Sequence, residues 1–324
     1  MKLESLKNYE TPIIRSNYFI GNNNLFYKRE DLLPFSLGGN KVRIALTYLD
    51  DMFKKGCDMI IGYGGVRSNL CRVIANMSSV VNVKCCIIYC IESNDAVKDT
   101  YNELITSSCG ADIVTCERAN VPEVIESTIE KYVHQGFKPY YIYGDKYGKG
   151  NESTPVQAYV DVYDEISKFE ASNGKKFEYI FIASSTGVTQ SGLICGNILN
   201  DDSYKKIIGI STARKSSQAE AIIGDNVKNY MDTINLKIDD KSINVIILDD
   251  WLLGGYGKYD SSVVGLVRDV INIDGVFLDP VYSGKAFYGM TEYLRKNRIC
   301  DKNILFVHTG GIVGFFDEIK NIFN

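Results

Sequence analysis

An α/β architecture, two domains of open parallel sheet with flanking helices, is what this sequence predicts, and three observations carry it. Short apolar runs of strand length alternate with stretches of helical spacing along nearly the whole chain. Such alternation builds βαβ units, whose strands run parallel beneath a cover of helices. At 324 residues, 45% hydrophobic and 23% charged, the chain is also long enough for two cores, with no internal repeat or low-complexity linker.

The elements follow in order. Val42, Ala45, Leu46, Leu49, Met52 and Phe53 recur at helical spacing and predict the first helix. Apolar runs predict strands at 58–63, 83–91, 112–115, 139–143, 178–183, 206–211, 243–248, 275–278 and 303–307. Helical patterns fill most gaps between them, among them 69–78, 121–135, 155–170 and 283–295. Residues 144–150, with three glycines in seven positions, form the most loop-like stretch and the expected crossing between domains.

Composition removes several functional classes. A net charge of −4 without a basic block argues against nucleic acid as a partner. Residues 1–8 show no apolar signal core, and no apolar run is long enough to span a bilayer, so a cytoplasmic protein without membrane contact is expected. Nine cysteines is an odd number without framework spacing, which predicts reduced thiols. Cys85, Cys86 and Cys90 share one apolar run and read as core packing rather than as metal ligands. The only histidines are His134 and His308. A His-Glu-x-x-His zinc site is therefore impossible, and neither histidine lies near a nucleophile elbow. No metal is expected. Proton transfer falls to lysine, tyrosine, serine or carboxylates.

Four motifs remain. Gly38-Gly39-Asn40-Lys41 follows Tyr27-Lys28-Arg29-Glu30-Asp31 and places a lysine where a glycine turn enters a helix. The positive end of a helix dipole lowers an amine's pKa, and an amine so tuned attacks an aldehyde more readily. The bland reading is a surface lysine after a turn. Residues 62–72 run from a strand through Gly64 and Gly65 to a helix capped by Ser68 or Asn69, where free amides and small polar groups suit a carboxylate. Ordinary capping explains that motif equally simply, and a dinucleotide fingerprint fails because Ser68 falls near the third glycine. Residues 183–193 lead from the strand Tyr179-Ile180-Phe181-Ile182 into another helix through Ser185, Thr186, Gly187, Val188 and Thr189. Amides and hydroxyls there would cradle a phosphate, and the missing Gly-Lys-Ser/Thr rules out a nucleotide P-loop. The bland reading is a hydroxyl-rich turn. Finally, residues 249–257 with Tyr256, residues 278–286 with Tyr282 and Ser283, and residues 307–311 with Thr309 each put small or hydroxyl groups at a strand end.

Taken in order, these motifs resemble the D-cysteine desulfhydrase and 1-aminocyclopropane-1-carboxylate deaminase family. The resemblance runs from about Lys28 to Gly311 and is densest in Lys-Arg-Glu-Asp…Gly-Gly-Asn-Lys, Ser-Asn-x-x-Arg, Asp-Pro-Val-Tyr-x-Gly-Lys and His-Thr-Gly-Gly. It implies a pyridoxal 5′-phosphate enzyme with the tryptophan synthase β-like fold. The large cofactor domain would comprise residues 1–46 and 156–324, the small domain 47–155, with the cofactor in the cleft between them. Lys41 would carry the cofactor, Asn69 would bond its 3-hydroxyl, and residues 185–189 would hold its phosphate. Ser68 would take the substrate carboxylate, while Tyr256 and Tyr282 match active-site tyrosines. Either Ser283 or Thr309 would face the ring nitrogen. The implied reaction is α,β-elimination on a small amino acid, giving keto acid and ammonia, and the implied assembly is a homodimer.

Departures bear on the substrate. Ser283 stands where the deaminases carry glutamate, and a hydroxyl holds a ring nitrogen protonated less well than a carboxylate does. Elimination from D-cysteine is therefore favoured over opening of the cyclopropane ring. L-cysteate sulfo-lyase activity, and a racemase or synthase on the same fold, are the alternatives within the chemistry. A silent binding protein is the alternative outside it. Arg67 and Leu70 flank Ser68-Asn69 where polar residues such as glutamine or histidine are usual, so Arg67 is a candidate for pairing with an acidic substrate side chain. Ser185 and Val188 replace small residues in the phosphate loop.

Overall fold

Ten strands, among the described residues, form two sheets. The computed structural model describes residues 9–91, 100–239 and 242–323, so the opening segment 1–8 lies outside the described residues. The six-stranded sheet has the order β1-β2-β10-β7-β8-β9. Its strands are β1 (Ile13–Arg15), β2 (Asn24–Arg29), β7 (Tyr179–Ser184), β8 (Lys206–Ser211), β9 (Ile246–Leu248) and β10 (Asn303–His308). Only the β1–β2 pair is antiparallel. The four-stranded sheet is wholly parallel, in the order β5-β4-β3-β6, with β3 (Met59–Gly64), β4 (Lys84–Ile91), β5 (Asp112–Glu117) and β6 (Pro139–Tyr141).

The chain divides into two compact units. One contains Lys41–Pro155 with Pro34–Ser36 and Tyr9; the other contains Glu10–Leu33, Leu37–Asn40 and the chain from Val156 onward. The first unit carries α1 (Asn40–Lys54, entered from Asn40 of the second), α2 (Asn69–Val80), α3 (Tyr101–Ser108) and α4 (Val121–His134). The second carries α5 (Gln157–Asn173), α6 (Val188–Leu199), α7 (Ser216–Thr233), α8 (Ser261–Asp274), α9 (Ser283–Lys296), α10 (Ile312–Asp317) and α11 (Ile319–Phe323).

Side-chain alternation sorts these helices onto the two faces of the larger sheet. A Cβ on Gly209 would strike Gln190 of α6, whereas a Cβ on Gly289 of α9 would strike Ile210. Neighbouring positions of β8 therefore look to opposite layers, α6 on one side and α9 on the other. Tyr27, Phe181, Ile208, Ile210 and Phe306 pack with Val267, Phe287 and Met290 in the α8–α9 layer, all buried. Burial on both faces accounts for strands that read as nearly continuous apolar runs.

Strand order also fixes where a ligand can sit. In the larger sheet, β7 continues to β8 and β9 on one side, while β10 and β2 lie on the other. In the smaller, β3 continues to β4 and β5 on one side, with β6 on the other. Ligands of open α/β sheets bind beyond the strand carboxyl ends at such reversals. The turns that follow β7, β10 and β3 are the Ser185–Thr189, Thr309–Gly311 and Gly64–Asn69 motifs.

Three elements differ from the sequence reading. Residues 275–278, expected as a strand, pair with no neighbour. Gly275 ends α8 in a left-handed conformation (φ 66°), and the Phe277 carbonyl meets the His308 ring Nε2 at 3.1 Å instead of a ladder amide. Conversely, β1 and β2 are strands the hydrophobic pattern does not announce. Lys28 breaks the apolar run of β2 yet is buried, its ammonium bonded to the Thr11 carbonyl (2.6 Å) and to the Glu165 carboxylate.

Candidate active site

The turn before Lys41 is built by close backbone approach. Gly38 and Gly39 have φ of 69° and 95°, a region costly for side chains. A Cβ on Gly38 would lie 2.1 Å from the Asp31 carbonyl oxygen, and one on Gly310 would lie 2.5 Å from the Gly39 Cα. Two glycine pairs thus interlock. Gly39 N–H donates to the Glu30 carbonyl (2.9 Å), and Asn40 N–H donates to the Thr309 carbonyl (3.0 Å). The Glu30 side chain is itself buried, accepting from Thr11 Oγ1 (2.6 Å) and the Tyr159 hydroxyl (3.1 Å). Arg29 grips Asp31 through two bonds of 2.9 and 2.7 Å. The Lys-Arg-Glu-Asp motif is therefore a scaffold for the turn.

Asn40 is the hub of this arrangement. Besides its amide bond to Thr309, its side chain donates to Thr189 Oγ1 at 3.0 Å. The residue immediately before Lys41 is thus tied to both the β7 and β10 turns. Lys41 follows in the first turn of α1, which carries no acidic residue. Its amine is lowered to about 8, and burial, which disfavours the ammonium, is the cause. Desolvation acts in the same direction as the helix dipole.

The turn after β7 is open to an anion. Gly187 precedes α6 in a left-handed conformation (φ 88°), with no side chain capping the helix. The first-turn amides therefore lack an intrachain cap, the usual basis of an anion site. A Cβ at Gly187 would sit 2.7 Å from Ile223 Cγ1, so glycine is required there. Ser185 is half-buried, Thr186 is exposed, Val188 opens the helix, and Thr189 is buried beneath Asn40. The hydroxyls of Ser184 and Thr212, at the same ends of adjacent strands, are buried without a hydrogen-bond partner. Orphaned groups of this kind are costly and mark places where a ligand oxygen or water completes them. The Arg214 guanidinium donates to the Ser185 carbonyl and fixes the loop. These observations fit a phosphate ester.

The turn before α9 is organised by Asp279, fully buried. Its carboxylate accepts the amides of Val281 (3.1 Å), Tyr282 (2.8 Å) and Ser283 (3.0 Å) and the Ser283 hydroxyl (2.7 Å). Burial raises its pKa, opposed by those four donors. Ser283 Oγ also accepts the Asp279 amide (2.9 Å), so its proton and a lone pair are both engaged. Thr309, nearly buried, makes no side-chain hydrogen bond among the described residues. His308 supports that turn from beneath: Nδ1 accepts the Gly310 amide (3.2 Å), and burial lowers its pKa, keeping it neutral. The Tyr256 and Tyr282 hydroxyls meet at 2.5 Å, with rings edge to face at 6.0 Å.

In the smaller unit, Ser68 Oγ caps α2 by accepting the Cys71 amide at 3.2 Å. Asn69 follows, its side-chain Oδ1 accepting from Arg72 Nη2 at 3.5 Å. Arg72 is buried and lowered to about 10 by desolvation; it bonds Asn102 Oδ1 (2.7 Å), Ser36 Oγ (2.9 Å) and the Ser36 carbonyl. Arg67 is exposed and Leu70 half-buried. Asn40, Asp279, Arg72 and Arg214 are the residues that sequence reasoning passes over as site groups. The first three lie inside the quoted motifs, which was the available signal.

An amine of lowered pKa in one unit and an uncapped helix start in the other are each features suited to a phosphorylated aldehyde. Comparison with known proteins agrees: the chain matches the pyridoxal-phosphate dependent enzyme family over residues 4–310, and it belongs to that family. It is 30% identical over 296 residues to a putative 1-aminocyclopropane-1-carboxylate deaminase of Pyrococcus horikoshii, covering 90% of this chain and 86% of the relative. It is 26% identical over 301 residues to a D-cysteine desulfhydrase of Yersinia pestis, covering 90% and 88% respectively. Among solved structures, a crystallised homologue of 1-aminocyclopropane-1-carboxylate deaminase superposes with a TM-score of 0.84 at 28% identity, covering 98% of this chain and 94% of that one. Pyridoxal phosphate is the cofactor, and the relatives are lyases and deaminases. Among the described residues, no helix is long and apolar enough to cross a membrane, and no group of side chains has the makings of a metal site.

Proposed function

We propose that this enzyme catalyses α,β-elimination on a small amino acid, with D-cysteine as the favoured substrate, which with one water gives pyruvate, sulfide and ammonia. The carrying observation is the turn before α9. This turn carries Ser283, at the position where the resemblance to the deaminases implies glutamate, and its one carboxylate, Asp279, is taken up by three amides and that hydroxyl. No carboxylate of this turn is left to hold a ring nitrogen protonated, which favours release of a good leaving group over opening of a carbon ring.

Lys41 holds the cofactor, and its lowered pKa suits an amine that takes and returns a proton near neutral pH. Backbone amides at Gly187, Val188 and Thr189, with Ser185 and Thr186 beside them, hold the phosphate. Asn69 and the hydroxyl of Thr309, or of Ser283 once released by Asp279, orient the ring. Bound there, pyridoxal phosphate supplies electron withdrawal from the substrate Cα. Ser68 takes the substrate carboxylate, and the Tyr256–Tyr282 pair shares a proton beside the leaving group. The working form is a cytoplasmic homodimer, and sedimentation at the mass of one protomer would remove that part of the reading.

Cyclopropane deamination is the second reading, supported by the names of the relatives and of the crystallised homologue. One experiment separates the two. Visible spectra of the protein and of Lys41→Ala are recorded, and keto acid and ammonia are assayed with D-cysteine, D-serine, L-cysteate and aminocyclopropane carboxylate. A Lys41-dependent band with release from D-cysteine is expected. Release from aminocyclopropane carboxylate alone moves the function to the second reading, and spectral change without ammonia overturns elimination altogether.

A further inference from the structure

Lys285, in the first turn of α9, is wholly buried, and no carboxylate lies within ion-pair distance among the described residues. A buried ammonium is unfavourable unless its donors are fully used. Here Nζ donates to two backbone carbonyls, Leu252 (2.9 Å) and Gly255 (3.0 Å). Both belong to the loop that ends in Tyr256. That loop is intrinsically pliable: Leu253, Gly254, Gly255 and Gly257 have φ of 51°, 92°, 109° and 73°. Its own backbone supplies three bonds among the described residues, from Leu252 N–H to the Asp249 carbonyl (3.2 Å), from Gly255 N–H to the Leu252 carbonyl (3.0 Å) and from Lys258 N–H to the Gly255 carbonyl (3.3 Å). Tyr282 directly precedes the same helix. One helix start therefore presents Tyr282 and, three residues on, grips the segment that presents Tyr256.

We infer that Lys285 is a positioning residue, which clamps the 252–255 loop so that the Tyr256 hydroxyl is held on the Tyr282 hydroxyl. Its consequence for turnover rests on the reading of this tyrosine pair as part of the active site. The clamp itself does not. Without it, the glycine loop samples other conformations and the 2.5 Å contact is populated only part of the time.

The chain's single tryptophan, Trp251, opens the same loop, and its ring edge approaches α9 at Gly289. Acrylamide quenching of its fluorescence reports loop opening without reference to activity. Lys285→Met is expected to raise the quenching constant, and Lys285→Gln, whose shorter neutral side chain keeps two N–H donors, to raise it less, with circular dichroism showing the native fold. If Lys285→Met does not fold, the Gln variant carries the measurement. Unchanged quenching in a folded variant overturns the clamp. Kinetics then test positioning through a double-mutant cycle with Tyr256→Phe. Lys285→Met is expected to lower kcat/KM about tenfold in the native background and less than about threefold on Tyr256→Phe, the non-additivity of residues acting through one another. Equal losses in both backgrounds overturn the positioning role. A native protein that releases no keto acid from any substrate counts against the proposed function, and Trp251 quenching still decides the clamp.

Discussion

Two strand-to-helix turns of this enzyme look alike in sequence and differ in how they treat their amides. After β3, Ser68 folds back on the first turn of α2 and satisfies the Cys71 amide with its own hydroxyl. After β7, Gly187 offers α6 no cap at all. A capped start has already satisfied one donor, so a visiting anion gains less there and leaves readily. An uncapped start keeps its donors for a resident anion. On the function proposed above, the difference would separate a place for a substrate carboxylate from a place for a cofactor phosphate.

That comparison breaks most sharply at Gly187. An alanine there adds left-handed strain and a contact 2.7 Å from Ile223. We expect Gly187→Ala to cost about 2–3 kcal/mol, seen as a loss of about a hundredfold in pyridoxal-phosphate affinity by spectral titration. Unchanged affinity would mean that the phosphate sits elsewhere.

Ser68→Ala sharpens the other side. Losing the cap costs about 1 kcal/mol in urea unfolding. If Ser68 also meets the substrate, kcat/KM falls by more than the stability loss explains; a stability loss alone would make it a cap and nothing more.

The third test is pH. A Lys41 amine at about 8, below the ordinary 10.5, loses its proton earlier as pH rises. Apoprotein should therefore take up added pyridoxal phosphate at a rate that passes half its maximum near pH 8 and levels off about one to two pH units above it, with roughly half the amine reactive at pH 8 rather than under ~1%. A rate still climbing at pH 10 would show an exposed, ordinary lysine.

The smallest effect is expected at Arg67, beside the capped turn. Arg67→Gln should leave folding unchanged and lower the ratio of activity on acidic over neutral substrates a few-fold, in proportion to one screened charge. An unchanged ratio would make Arg67 a surface residue bonded within the protein.

The parts of this account that are local were legible in the sequence. The turn-to-helix step at Lys41 follows from two glycines and an apolar helical period, and the parallel sheets follow from strands separated by helices. What escaped the sequence depends on contacts between distant residues. Asn40 does not announce its bond to Thr189, 149 residues away. Strand β2 is hidden because Lys28 looks polar until Glu165 and Thr11 bury it. Asp279 reads as half of an Asp-Pro turn, and only the fold shows it accepting four hydrogen bonds behind Ser283.

The pairing of β2 with β10, Asn24 against Asn303 through Arg29 against His308, also sets an order of events during synthesis. At ribosomal speeds of about 5–20 residues per second, β2 waits roughly 15–60 seconds for its neighbour to be made. Until then Thr309 cannot receive the Asn40 amide, and the turn ahead of Lys41 stays unclosed. A nascent chain in which the smaller sheet is already folded still lacks the final setting of Lys41. The ability to capture cofactor should switch on only as the last strand emerges.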